Sequence, residues 1–103
     1  MDRIAAFRRF IDAKPTDPFP RYGLAMELRS QARLPEAVAA FDELVAACPD
    51  YVPAYLLFGT TLVSAGDKPR ARAMFEAGLV VAQRKGDQHA FGELETALAS
   101  LDD

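Results

Sequence analysis

Side chains able to do chemistry are scarce in this sequence. It holds one thiol, Cys48, and one imidazole, His89. A thiolate activated by an imidazole is a nucleophile only when the two groups come within hydrogen-bond reach. Here they fall on different predicted helices, and a metal site needs more ligands than either residue has nearby. Cys48 continues an apolar stripe and reads as a core residue. His89 lies in the first turn of the last predicted helix and reads as a surface or packing residue. Glu93 and Glu95 have the chemistry of a general acid and a general base, but side chains two apart on a helix point different ways. The glycines never cluster into a loop that could cradle phosphate. Pro15-Thr-Asp-Pro18 has the form of a polyproline ligand, yet at a junction between helices a rigid turn is the better reading. Arg8 and Arg9 lack the interleaved exposed aromatics of a single-strand nucleic-acid surface. The expectation is a protein that is not an enzyme, with no catalytic residue, no cofactor and no metal.

Length and composition set the frame for these residues. The 103 residues suffice for one domain with one core. Half of them are apolar and 26% are charged, as in ordinary folded proteins. A net charge of −3 lacks the basic surplus that nucleic acid demands. The charge is uneven: residues 1–33 carry seven Lys/Arg against four acids, and residues 34–66 carry four acids and no base. A solvated face accounts for this most simply; orientation of a partner or of a second copy is the alternative. A single cysteine fits a reducing compartment. No apolar run approaches the roughly 18–20 residues needed to cross a membrane. The first residues are amphipathic and lack a signal-peptide core. The expected location is cytoplasmic, with neither nucleic acid nor membrane as partner.

The positioning elements follow from an internal repeat. Displacing the sequence by 34 residues aligns Leu28 with Leu62, Ser30 with Ser64, Pro35 with Pro69, Ala37 with Ala71, Ala39 with Ala73 and Phe41 with Phe75. Similar residues fill the gaps: Leu24 with Phe58, Ala25 with Gly59, Val45 with Leu79. Each unit reads as two helices. In the first, Leu24, Ala25 and Leu28 share one helical face, as do Phe58, Gly59 and Leu62. In the second, Ala37, Phe41, Leu44, Val45 and Cys48 form a stripe wide enough to face a core, matched by Ala71, Phe75, Gly78, Leu79 and Ala82. The same displacement places Phe7 on Phe41, Ile11 on Val45 and Pro15 on Pro49, so the first residues are the second helix of a leading half-unit.

Punctuation agrees with the periodicity. Asp17 before Pro18 is an N-cap followed by proline at the first helical position. Pro35, Pro53 and Pro69 also fall in first turns. Gly66 ends one helix; Arg84-Lys85-Gly86 ends another with cations at its negative pole. Asp87 caps a last helix with Phe91, Leu94, Leu98 and Leu101 on one stripe. Six helices are predicted, at roughly 2–14, 18–31, 35–47, 53–65, 68–84 and 88–101.

Residues 21–49 and 55–83 resemble tetratricopeptide repeats, whose signature is large, Leu, small, aromatic, Ala, aromatic and Pro at fixed positions. The first unit supplies Arg21, Leu24, Ala25, Leu28, Ala37, Phe41 and Pro49; the second supplies Tyr55, Phe58, Gly59, Leu62, Ala71, Phe75 and Gln83. Arg21 departs from the preferred large aromatic, and Gln83 departs from proline, which lets the fifth helix run on. The resemblance implies an all-α fold, an α-α superhelix of helix-turn-helix hairpins. One domain, 1–103, comprises a leading half-repeat (1–17), two full repeats (18–51 and 52–85) and a capping helix (86–103).

It also implies a site. In such proteins the first helices of the units line a concave groove that receives a peptide or helix. By position, the lining here is Phe19, Tyr22, Met26 and Arg29 from one unit, and Pro53, Leu56, Leu57, Thr60 and Val63 from the next. These residues lie off the core stripes, and apolar side chains left over after a core is assigned mark a contact surface. Chaperone-tail clamps in the family use Lys and Asn in the groove. Tyr22, Met26 and Leu57 stand at the matching positions, which favours an apolar or amphipathic ligand. The function implied is a non-catalytic adaptor that binds a short segment of a partner protein. The alternative is self-association into a homo-oligomer, through end helices or the groove. Folding back of the last helix would cover part of the lining.

Overall fold

The computed structural model describes residues 2–102. It contains six helices: α1 (Arg3–Ala13), α2 (Pro18–Ser30), α3 (Leu34–Ala47), α4 (Val52–Ser64), α5 (Lys68–Lys85) and α6 (Gln88–Leu101). No strand occurs among the described residues, and no helix among them is long and apolar enough to cross a membrane. The chain divides into two compact units, Met1–Pro49 with α1 to α3 and Asp50–Asp103 with α4 to α6.

Short-range chemistry starts the helices. Asp2, Asp17, Asp67 and Asp87 each accept a hydrogen bond from a first-turn amide, those of Ile4, Phe19, Arg70 and Ala90, at 3.0–3.1 Å. α3 and α4 begin at Arg33 and Tyr51, which make no such cap, and both carry proline in the first turn. Arg33 instead grips Glu36 through two bonds of 2.9 and 2.7 Å, and that hydrogen bonding holds the Glu36 carboxyl below its ordinary range.

The helix ends repeat one motif. The amides of Arg33, Asp67 and Asp87 donate back to the carbonyls of Leu28, Leu62 and Ala82 at 3.0, 2.8 and 2.9 Å. This Schellman arrangement needs a left-handed residue just before each donor. Gly66 and Gly86 supply it, and in α2 the residue is Ala32, with φ 58°. Its Cβ crowds the following carbonyl in that conformation.

In the first unit α2 packs on both α1 and α3. Leu28, Phe41 and Leu44 are fully buried with Ala25 and Ala37. α1 closes on α2 where a Cβ on Gly23 would lie 2.4 Å from the Phe7 ring. Arg21, standing where the second unit has Tyr55, buries its stem and donates from Nε to the Pro15 carbonyl at 2.7 Å, with Glu43 4.0 Å from its guanidinium. Cys48 departs from its expected place in the core stripe. Pro49 disfavours helical backbone at the preceding residue, so Cys48 is the half-buried C-cap of α3 and its Sγ donates to the Thr16 carbonyl at 3.3 Å.

In the second unit the α4–α5 hairpin closes on Gly59, where a Cβ would stand 2.2 Å from the Phe75 ring. Phe58, Leu62 and Ala71 complete that layer. Gly78 lets two neighbours approach α5: its missing Cβ would meet Tyr55 at 2.7 Å and Leu94 of α6 at 3.1 Å. Thr61 is buried and its hydroxyl donates to the Leu57 carbonyl at 2.7 Å, so no polar group there is left unmet. α5 runs for 18 residues against 14 for α3, as Gln83 in place of proline anticipates. Its added turn carries Arg84 to the Asp50 carboxylate and Lys85 to the Asp50 carbonyl, 2.9 Å away.

Two stability measurements check this account. Gly59→Leu drives a side chain into the Phe75 ring, and urea unfolding should show a loss of at least about 1–3 kcal/mol from overpacking; an unchanged midpoint would refute the hairpin contact. Ala32→Gly relieves the left-handed Cβ and should raise stability by about 1 kcal/mol, whereas a loss of stability would mean that the turn is not under strain.

Candidate functional site

The α2 face holds Phe19, Tyr22, Met26 and Arg29, spaced i, i+3, i+7, i+10. The core of the first unit claims the other side of the helix through Pro20, Leu24, Ala25 and Leu28. Phe19 is 70% exposed, and Tyr22, Met26 and Arg29 are half-buried. The Asp17 cap and Pro18 fix the start of this helix, and so fix where the Phe19 ring emerges.

The α4 face holds Pro53, Leu56, Leu57, Thr60 and Val63. Val52, Ala54, Tyr55, Phe58, Gly59, Thr61 and Leu62 are buried behind it. Pro53 and Val63 are exposed; Leu56, Leu57 and Thr60 are half-buried. The Thr60 hydroxyl donates to the Leu57 carbonyl at 3.1 Å, so its hydrogen-bonding capacity is used within its own helix. Two residues of this face have neighbours in α6. Thr60 and Val63 border a cavity of about 430 Å³ with Lys68, Phe75, Ala97, Ser100 and Leu101. The closing helix therefore folds back beside the C-terminal end of α4, and Pro53, Leu56 and Leu57 lie outside that cavity. An Arg72–Asp102 ion pair ties the end of α6 to α5, and the guanidinium's hydrogen bond holds the Asp102 carboxyl below its usual range.

The groups weighed for chemistry are dispersed. His89 is exposed, with Nε2 3.3 Å from the Glu93 carboxylate. Among the described residues no three of His, Cys, Asp and Glu gather in a way that could hold a metal ion. Burial raises the Tyr51 and Tyr55 phenols above their ordinary pKa, which keeps them neutral hydrogen-bonding groups.

A further aromatic cluster lies in the first unit. Phe7, Phe10, Ala13, Lys14, Asp17, Phe19 and Pro20 line an open cavity of about 400 Å³ at the corner of α1 and α2. Phe10 is 62% exposed. It stands outside the residues singled out from the sequence, although the repeat register marks it: Phe10 falls on Leu44, which is fully buried.

Known structures resemble this arrangement. The crystal structure of a tetratricopeptide repeat domain protein from Salinibacter ruber is 34% identical, with a TM-score of 0.78 over 84% of this chain and 97% of that one. A solution structure of a tetratricopeptide repeat domain protein from the same organism is 34% identical, with a TM-score of 0.80 over 85% and 89% of the two chains. The TPR2B domain of yeast Sti1, in its pHsp70 complex, is 18% identical with a TM-score of 0.87 over 96% and 79%; at that identity the likeness concerns fold alone. No protein-family model matches the chain, and no curated protein does either.

Proposed function

Because the chain belongs to the tetratricopeptide repeat family and is a protein–protein interaction module, we propose that it is a non-catalytic adaptor that takes a short apolar or amphipathic segment of a partner protein on the outward faces of α2 and α4. The observation that carries this reading is the state of Tyr22, Met26, Leu56 and Leu57. All four remain half-exposed after the core of each unit has been filled by other residues. Uncovered apolar and aromatic side chains of this kind gain free energy, about 25 cal/mol per Å², when a partner removes them from water. The Tyr ring adds area at low entropic cost, since only two torsions must be fixed. The Thr60 and Val63 end, beside α6, is the less open part of the α4 face. Arg29 at the end of α2 adds a cation that suits an acidic group on the ligand.

The reading is tested with Tyr22→Glu and Leu56→Glu, each placing a charge in the contact surface and leaving the buried stripes intact. Both proteins should keep the circular-dichroism signal of the parent and lose the partner that the parent retains in affinity capture from its source cell. Retention of that partner by both variants at parental levels would remove the α2 and α4 faces from the binding surface.

A further inference from the structure

The repeat register exposes two helix faces that complement each other. On α1, the positions equivalent to Ala37, Ala40, Phe41, Leu44 and Cys48 are Arg3, Ala6, Phe7, Phe10 and Lys14. In α3 the first four of these positions are buried. In α1 Phe10 is 62% exposed, and the Arg3 side chain is open to solvent with only a 3.4 Å contact to Glu27. α1 is thus a second-type helix whose inner face is only partly covered: Phe7 lies half-buried against Gly23 of α2, Phe10 stands open, and a cation lies at each end.

α6 has the converse character. It follows α5 as a first-type helix, and it buries Leu94 and Leu101 in its own unit. Phe91, Glu95, Leu98 and Asp102, spaced i, i+4, i+7, i+11, form the adjoining side, on which Phe91 and Leu98 are half-buried and Glu95 is exposed. Residues 86–103 contain five acids and neither Lys nor Arg, whereas residues 1–14 contain four Lys/Arg against two acids. Lys14 and Glu95 have no ion-pair partner among the described residues.

We propose that the open face of α1 is an interaction surface for a second copy of this chain, whose α6 docks antiparallel on it and completes a helical hairpin between the two molecules. Phe91 and Leu98 of one copy meet Phe7 and Phe10 of the other, and the cavity beside Phe10 admits an aromatic side chain. The exposed Glu95 of α6 then faces a helix side whose charged residues are the cations Arg3 and Lys14. A single helix pair is a small interface, so the contact is weak, and salt weakens it further. The two surfaces differ, so the contact is heterologous and can recur from copy to copy. It touches α2 only at Phe19 and Pro20, which line the cavity beside Phe10, and does not involve Tyr22, Met26, Leu56 or Leu57, so Tyr22→Glu separates its failure from that of the adaptor reading.

Sedimentation equilibrium over a range of concentrations tests this with the full chain. The mean mass of the parent should rise with concentration, and less so at 1 M salt. Phe10→Glu, at an exposed position, and Glu95→Lys, at another, should each be monomeric with parental circular dichroism. Mixed together they should form a one-to-one dimer, because one variant keeps its α6 intact and the other keeps its α1. Tyr22→Glu should associate like the parent. A parent that stays monomeric up to about 1 mM overturns the proposal and assigns the α1 face to a different chain. So does a mixture that fails to pair, or variants that still associate alone.

Discussion

A phenylalanine ring pressed against a position that has no side chain governs how these helices meet. In the second unit Phe75 occupies the space that a Cβ on Gly59 would need, and in the first Phe7 does the same over Gly23. That omission leaves room for the ring between the two helices, and in the α2–α3 pair the small Ala25 and Ala37 stand buried beside Phe41. Helices of 11 to 18 residues are marginal alone, so their stability is the stability of these stacks. α5 shows the constraint at its strongest. Gly78 yields space to Tyr55 on one helix and to Leu94 on another, which makes α5 the hub of its unit.

That dependence on neighbours also explains the outer surfaces. A helix in a repeat has more than one face to cover, and the core of a unit consumes only some of them. What remains on α2, and separately on α4, is mainly apolar or aromatic, with Arg29 and Thr60 the polar members, and what remains on α1 is aromatic between cations. Ion pairs play a lesser part. Arg72 with Asp102 and Arg84 with Asp50 are exposed pairs that fix the ends of α5 against its neighbours, and such pairs contribute little in water.

Most of the fold was legible in the sequence because its punctuation is explicit. Aspartate followed by proline, proline in first turns and glycine after last turns each has a local cause, and helix limits read from them agree with those observed to within one residue at every end. Cys48 was misplaced because periodicity extends a stripe without knowing that the next proline stops the helix. Ala32 gave no local sign of a left-handed backbone; only its register with Gly66 betrays it. That the last helix can fold back over part of the lining was legible, but not that Thr60 and Val63 are the residues it borders. Which face a closing helix covers is decided by side chains distant in sequence, and a stripe of Phe91, Leu94, Leu98 and Leu101 fits several neighbours equally well.

The Schellman turns carry one last consequence. A side chain added at Gly66 or Gly86 would find nothing within 4 Å, and the hydrogen bonds that close each turn are all to backbone. Chain inserted at these corners therefore disturbs no stack, and its cost is mainly that of closing a longer loop, about 0.6 kcal/mol for each doubling of length. The corners are seams. Along them the chain can lengthen or shorten its corners while the helices on either side keep their contacts.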